Sequence, residues 1–116
     1  MAGAVEIQAF LQDFHIKMNI WGIIFRDDRG KNTQTLLTLE ITRQHRNEIL
    51  KNLTVGDYAE GPLPEKLHGG ANMWIFGKQV KGKEIYIKIT MGIESAQVLC
   101  ISFHIAERPL NYPCRP

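Results

Sequence analysis

The chain has 116 residues, 44% of them hydrophobic and 22% charged, with a net charge of +2 and a pI near 8.6. That size suits one domain with a single modest core, and the composition is too apolar for wholesale disorder. The charge is too mild to announce nucleic-acid binding by itself, so function must be read from where the charges sit.

In chain order, "VEIQAFLQDFHIKM" spaces Ile7, Phe10, Leu11, Phe14 and Met18 three and four apart. This predicts an amphipathic helix within residues 1–18, with Glu6, Gln8, Gln12, Asp13 and Lys17 outside and His15 off the apolar stripe. "NIWGIIF" is short and rich in β-branched residues, and it predicts a strand from Ile20 to Phe25. "RDDRGKN" follows as a polar turn in which Gly30 is free to take a positive φ. "NTQTLLTLE" fits either a short helix or an extended connector. Thr42 is the predicted N-cap of "RQHRNEILKNL", with Ile49, Leu50 and Leu53 inward and Arg43, Arg46 and Lys51 outward. Thr54 and Asp57 then have capping-box spacing.

"GPLPEKLHGGAN", residues 61–72, holds two prolines and three glycines and is read as one long loop. "MWIFGKQVK", "KEIYIKITM" and "QVLCISFHI" predict three consecutive antiparallel strands, the first two joined by a tight hairpin at Lys81–Gly82. "AERPLNYPCRP", residues 106–116, has three prolines and predicts a loosely packed tail. Helices followed by a meander give an α+β class, with N-terminal helices packed on one face of an antiparallel sheet in a single domain over residues 1–116.

The remaining signals are exclusions. Cys100 lies in an apolar run and reads as a reduced core residue, while Cys114 beside Pro113 reads as exposed; two such thiols make no disulfide framework. There is no Cys-x-x-Cys pair and no His-x-x-x-His ladder, so neither a metal site nor a cofactor is expected. The opening segment lacks a basic stretch followed by a long apolar core, and no apolar run approaches the roughly 20 residues that span a bilayer. A reducing cytoplasm is the expected setting, with no membrane partner.

Alternation sorts the faces of the meander. Ile85, Ile87, Ile89 and Met91 share one side, as do Trp74, Phe76 and Val80, and likewise Leu99, Ile101, Phe103 and Ile105. With those sets against the helices, the other face collects Tyr86, Lys88, Ser102 and His104, with Gln79 and Lys81 near the hairpin. Lys78 interrupts the apolar set of its own strand and predicts a bulge or an edge beside Gly77. A face holding Tyr, Lys, His and Gln has what metal-free RNA cleavage needs. A base takes the proton from the ribose 2′-hydroxyl, cations stabilise the crowded phosphorane, and an acid protonates the leaving 5′-oxygen. Histidine serves as base or acid near neutrality, and aromatic rings beside basic groups suit single-stranded RNA. Tyr86, Lys88, Ser102 and His104, with Gln79, Lys81 and Lys78, are therefore the candidate site residues. The same pattern also fits a solvated polar face.

The ordered set "NEILKNLTVGDY", "MWIFGKQVKGKEIYIKIT" and "VLCISFH" resembles the MqsR family (motility quorum-sensing regulator) of bacterial type II toxins. The likeness runs through Leu53-Thr54, Asp57-Tyr58, Trp74, Gly82, "IYIKIT" and "ISF", over roughly the C-terminal two-thirds of the chain. It implies a RelE-like fold and a ribosome-independent mRNA endoribonuclease held inactive by a cognate antitoxin of zinc-finger plus helix-turn-helix type. It places Tyr86 at a family catalytic tyrosine and His104 where the family has a lysine, which implies a pH-sensitive activity. The resemblance thus singles out Tyr86 and His104 as catalytic and leaves Lys78, Gln79, Lys81, Lys88 and Ser102 as RNA-binding. A second family lysine falls near Ala59-Glu60 here, and a family glutamine falls at Ile75; Gln79 or Lys78 is the expected compensation. In the long loop, Lys66 and His68 are further candidates for reaching RNA. The competing expectation is a non-catalytic RNA- or protein-binding module on the same scaffold.

Overall fold

Helix α1 (Ala4–Trp21) forms where the three-four spacing predicts it, burying Ile7, Leu11, Phe14 and Met18 on one stripe. It runs three residues beyond the predicted end at residue 18, because helix propagation overrides the β-branched preference of "NIW". Gly22 stops it, with φ of 87° and its N–H donating to Met18 O at 2.8 Å. Strand β1 is consequently only Ile23–Phe25, shorter than the predicted span from Ile20. The computed structural model describes residues 2–27, 30–64 and 70–115.

The ambiguous leucine segment is helix α2 (Lys31–Leu39), and α3 (Arg43–Lys51) follows, capped by the Thr42 hydroxyl accepting from His45 N–H at 3.0 Å. The Thr54–Asp57 spacing produces a 3₁₀ turn over Val55–Asp57, in which the Asp57 carboxylate accepts from Thr54 N–H at 2.9 Å. Strand β2 (Tyr58–Leu63) takes over the first residues of the predicted 61–72 loop. Lys66 and His68 lie outside the described residues. The meander is present as β3 (Met73–Val80), β4 (Lys83–Thr90) and β5 (Val98–Ile105). Its hairpin turns on Lys81 and Gly82, with φ of 51° and 81°, the double positive φ that two-residue hairpins favour.

The sheet has the order β1-β5-β4-β3-β2, antiparallel except for β1, which runs parallel to β5. Among the described residues, three α-helices and a five-stranded mixed sheet make the class α+β. One apolar cluster joins Ile7, Leu11 and Phe14 of α1 and Leu50 of α3 to Phe76, Ile85, Ile87, Ile89 and Phe103 of the sheet. Phe10 stacks on Trp74 at 4.4 Å between ring centroids, fixing α1 over β3. Among the described residues, no helix is long and apolar enough to cross a membrane.

Four sequence expectations need correcting here. Arg46 faces inward, not outward: it is 2% exposed, grips Asp27 at 3.0 and 3.2 Å, and lies 3.4 Å over the Phe25 ring. On β5, the pairing slips between Lys88↔Ser102 and Ile89↔Cys100, a bulge that leaves Ile101 as the extra residue. Val98 and Cys100 therefore turn to the core at 0% exposure, and Leu99 and Ile101 do not. Lys78 marks no bulge, since its ladder to β4 is regular through Lys78↔Ile85; the edge alternative fits, because the pairing of β3 with β2 extends only to Phe76.

The fourth concerns the tail, which is tied to the sheet. Leu110 N–H and Tyr112 Oη donate to the Glu84 carboxylate at 3.0 and 2.7 Å, and the Arg115 side chain reaches Gly56 O and Asp57. Cys114 is partly buried against the core instead of exposed. Gly77 makes this crossing possible, because a Cβ there would lie 2.1 Å from Tyr112 Oη and 2.6 Å from Leu110 Cδ1. Gly77→Val should consequently lift the tail and cost about 1–3 kcal/mol by overpacking. Urea denaturation reads the loss, and faster proteolysis after Arg108 shows that the tail yields before the sheet does.

Candidate active site

The polar face is built by strand register. Tyr86 stands between Gly77 on β3 and His104 on β5, and the next rung places Lys88 between Ile75 and Ser102. Because side chains alternate, these residues point away from the helices while Ile85, Ile87 and Phe103 point toward them. The Tyr86 and His104 rings stack 5.2 Å apart and 15° from parallel, and Lys88 Nζ lies 5.8 Å from the Tyr86 ring centroid. His104 Nδ1 sits 3.0 Å from Ile105 O. A carbonyl only accepts, so Nδ1 carries the hydrogen and the neutral ring leaves its lone pair on Nε2. No hydrogen bond among the described residues engages Tyr86 Oη. Burial, with a smaller contribution from the Glu60 charge, raises the Tyr86 pKa above the usual tyrosine value. Tyr86 is thus a protonated phenol and a donor at neutral pH.

These residues open into a cleft of about 410 Å3. Its floor is Tyr86, Lys88, Ile101, Ser102 and His104; Arg26, Lys31 and Asn32 form one wall, and Arg108, Pro109 and Leu110 of the tail form the other. Among the described residues, Arg26, Lys31, Lys88 and Arg108 line this space with one carboxylate, that of Glu107. Such a bias favours a phosphate-bearing ligand.

The wall carrying Arg26 and Lys31 is fixed by an arrangement that periodicity does not reveal. Beyond the end of β1, α2 covers the open edge of β5 with side chains. Phe103 N–H donates to Asn32 Oδ1 at 2.8 Å, Ile105 N–H donates to Thr35 Oγ1 at 3.2 Å, and Asn32 Nδ2 donates to Arg26 O at 2.9 Å. The tail wall is fixed by the Glu84 contacts described above.

Of the sequence-selected residues, Tyr86, His104, Lys88 and Ser102 come together. Lys78 does not: alternation sends it to the helix side, where Nζ pairs with the buried Asp57 carboxylate at 2.9 Å. Lys81 also leaves the site, donating to Glu40 O at the end of α2 at 3.2 Å. Gln79 shares the face but pairs with Glu84, one rung beyond Tyr86, and does not line the cleft. Neither Gln79 nor Lys78 thus compensates within the cleft for the glutamine and lysine that the family resemblance would place there. Arg26, Lys31, Asn32 and Arg108 were missed. Their signal in the sequence is only a basic residue at each end of a turn and one in the tail; the parallel β1–β5 pairing brings in Arg26, Lys31 and Asn32, and the tail's contacts with Glu84 bring in Arg108.

Among the described residues, no three His, Cys, Asp or Glu side chains gather as a metal site, and Asp27 is engaged by Arg46. No protein-family model, curated protein or solved structure matches the chain.

Proposed function

We propose that this chain is a RelE-like toxin related to the MqsR family, an endoribonuclease that cuts single-stranded mRNA by metal-independent acid–base chemistry. The observation that carries the reading is the stacked Tyr86–His104 pair at the floor of a cleft with four cations. In this mechanism His104 Nε2 takes the proton of a ribose 2′-hydroxyl, and the 2′-oxygen attacks the adjacent phosphorus. The bond from phosphorus to the 5′-oxygen breaks as a water molecule gives that oxygen a proton, leaving a 2′,3′-cyclic phosphate and a 5′-hydroxyl; the hydroxide so formed takes back the proton held on His104. Tyr86 donates a hydrogen bond to a phosphoryl oxygen, and Lys88, Arg26 and Arg108 offset the charge that builds on the phosphorane.

The cytoplasmic setting and a zinc-finger plus helix-turn-helix antitoxin are carried by the resemblance alone. A short adjacent reading frame encoding such a protein would support both. The purified chain should fragment an mRNA in the presence of EDTA, with discrete stops by primer extension. An intact transcript beside correctly folded protein would refute the reading. One observation favours the alternative of a non-catalytic RNA- or protein-binding module: the family glutamine position is Ile75, an apolar residue in the same rung as Lys88. Binding of RNA without scission at any pH would select that alternative.

A further inference from the structure

One ion pair that lines the basic cleft, Lys31 Nζ with Glu107 Oε1, spans from α2 to the tail. Beyond the pair lies a second cleft of about 470 Å3 along α2, lined by Gln34, Thr35, Thr38 and Ile105. Lys31, His104 and Glu107 line both spaces, so the two concavities meet at this pair and at the candidate base.

The pair is poorly suited to a structural role. Its side chains are 61% and 67% exposed, and exposed pairs of this kind add little stability and exchange readily. Among the described residues that line the basic cleft, Glu107 is the one carboxylate. An anion held by a lysine at the junction of two clefts occupies the place that a bridging phosphate would take.

We propose that the two clefts are one track for single-stranded RNA, each taking about one nucleotide, and that the phosphate at their junction displaces Glu107 from Lys31. This rests on the ribonuclease reading of the site. The basic cleft receives phosphate and ribose at Tyr86 and His104. The second cleft, lined by threonine hydroxyls, Gln34 and Ile105, receives the neighbouring ribose and base. Glu107 is then a competitor that raises the phosphate affinity required for entry, and a short dinucleotide leaves the α2 cleft empty.

The test uses fluorescein-labelled 2′-deoxy oligonucleotides, which lack the attacking hydroxyl, so that anisotropy reads binding apart from cleavage. Glu107→Gln should tighten tetranucleotide binding by about three- to tenfold at low salt, since it removes one repulsion and frees one cation. Lys31→Ala should weaken it by a similar factor and shrink the effect of Glu107→Gln to the part that comes from the removed repulsion, so that the double variant is not additive. Thr38→Glu should weaken the tetranucleotide and leave the dinucleotide unchanged. All three positions are exposed, and circular dichroism checks that each variant folds. No binding by the unaltered chain, no tightening in Glu107→Gln, additive effects in the double variant, or equal effects of Thr38→Glu on both lengths would overturn the track. The same pattern without cleavage of ordinary RNA would keep the track and remove the ribonuclease reading; cleavage without the pattern would do the reverse.

Discussion

Replacing His104 with alanine should lower the rate of RNA cleavage at saturating RNA by about 10²- to 10⁴-fold, the range expected when a general base is removed. The fold should survive, because His104 is only partly buried and, among the described residues, its side chain hydrogen-bonds only the neighbouring Ile105 carbonyl. Tyr86→Phe keeps the ring that stacks on His104 and removes only the hydroxyl, so it isolates the donor. Loss of one oriented donor to a charged transition state costs about 10²- to 10³-fold. Burial favours the neutral phenol, and raising a tyrosine pKa extends the protonated range upward. Tyr86→Phe should therefore lower the rate evenly between about pH 6 and 9 and leave the shape of the profile unchanged. A profile that changes shape would assign Tyr86 an ionising role that its burial opposes. Single-turnover rates on a short RNA make both measurements.

The second large effect concerns stability. Arg46→Ala should destabilise the chain by about 3–5 kcal/mol, since it strips a buried cation from its carboxylate and leaves a void under Phe25. The guanidinium is 2% exposed, holds Asp27 through two oxygens, and lies against the Phe25 and Phe103 rings. Its Nε is buried and finds no acceptor among the described residues, so the site is bound by charge and stacking more than by complete hydrogen bonding. Arg46→Met fills more of the volume and should lose less than alanine does. Asp27 is 30% exposed and can hydrate once freed. Arg46→Lys keeps the charge but loses the planar fork and should fall between wild type and alanine. Because Asp27 adjoins Arg26, which lines the cleft, the alanine variant should also weaken oligonucleotide binding. Urea denaturation gives the stability order, and a loss under about 1 kcal/mol for alanine would show that Phe25 repacks over the gap.

The parts of this fold that were legible in the chain are those decided over a few residues. The stripe of α1, the Thr42 cap, the Lys81–Gly82 hairpin and the alternation of β4 all follow from local periodicity and turn chemistry. The parts that were not legible depend on partners distant in sequence. Arg46 looks like one more surface cation until β1 brings Phe25 and Asp27 beneath it. The β5 bulge inverts Leu99 and Cys100 relative to strict alternation, and nothing in "VLCISFHI" announces it. The tail has the composition of a loose end, yet Gly77 clears a path for it and Glu84 receives it. The site divides along the same line: its floor of Tyr86, Lys88, Ser102 and His104 was read from alternation, and its two walls come from tertiary pairing.

End-group analysis of RNA cut in EDTA reads whether Tyr86 and His104 drive attack by a ribose 2′-hydroxyl. The expected result is 2′,3′-cyclic phosphate and 5′-hydroxyl termini, no scission where the cut nucleotide is 2′-deoxy, and near-complete loss in His104→Ala. Termini bearing 5′-phosphate, scission that persists at the 2′-deoxy position, or full activity in His104→Ala would contradict it.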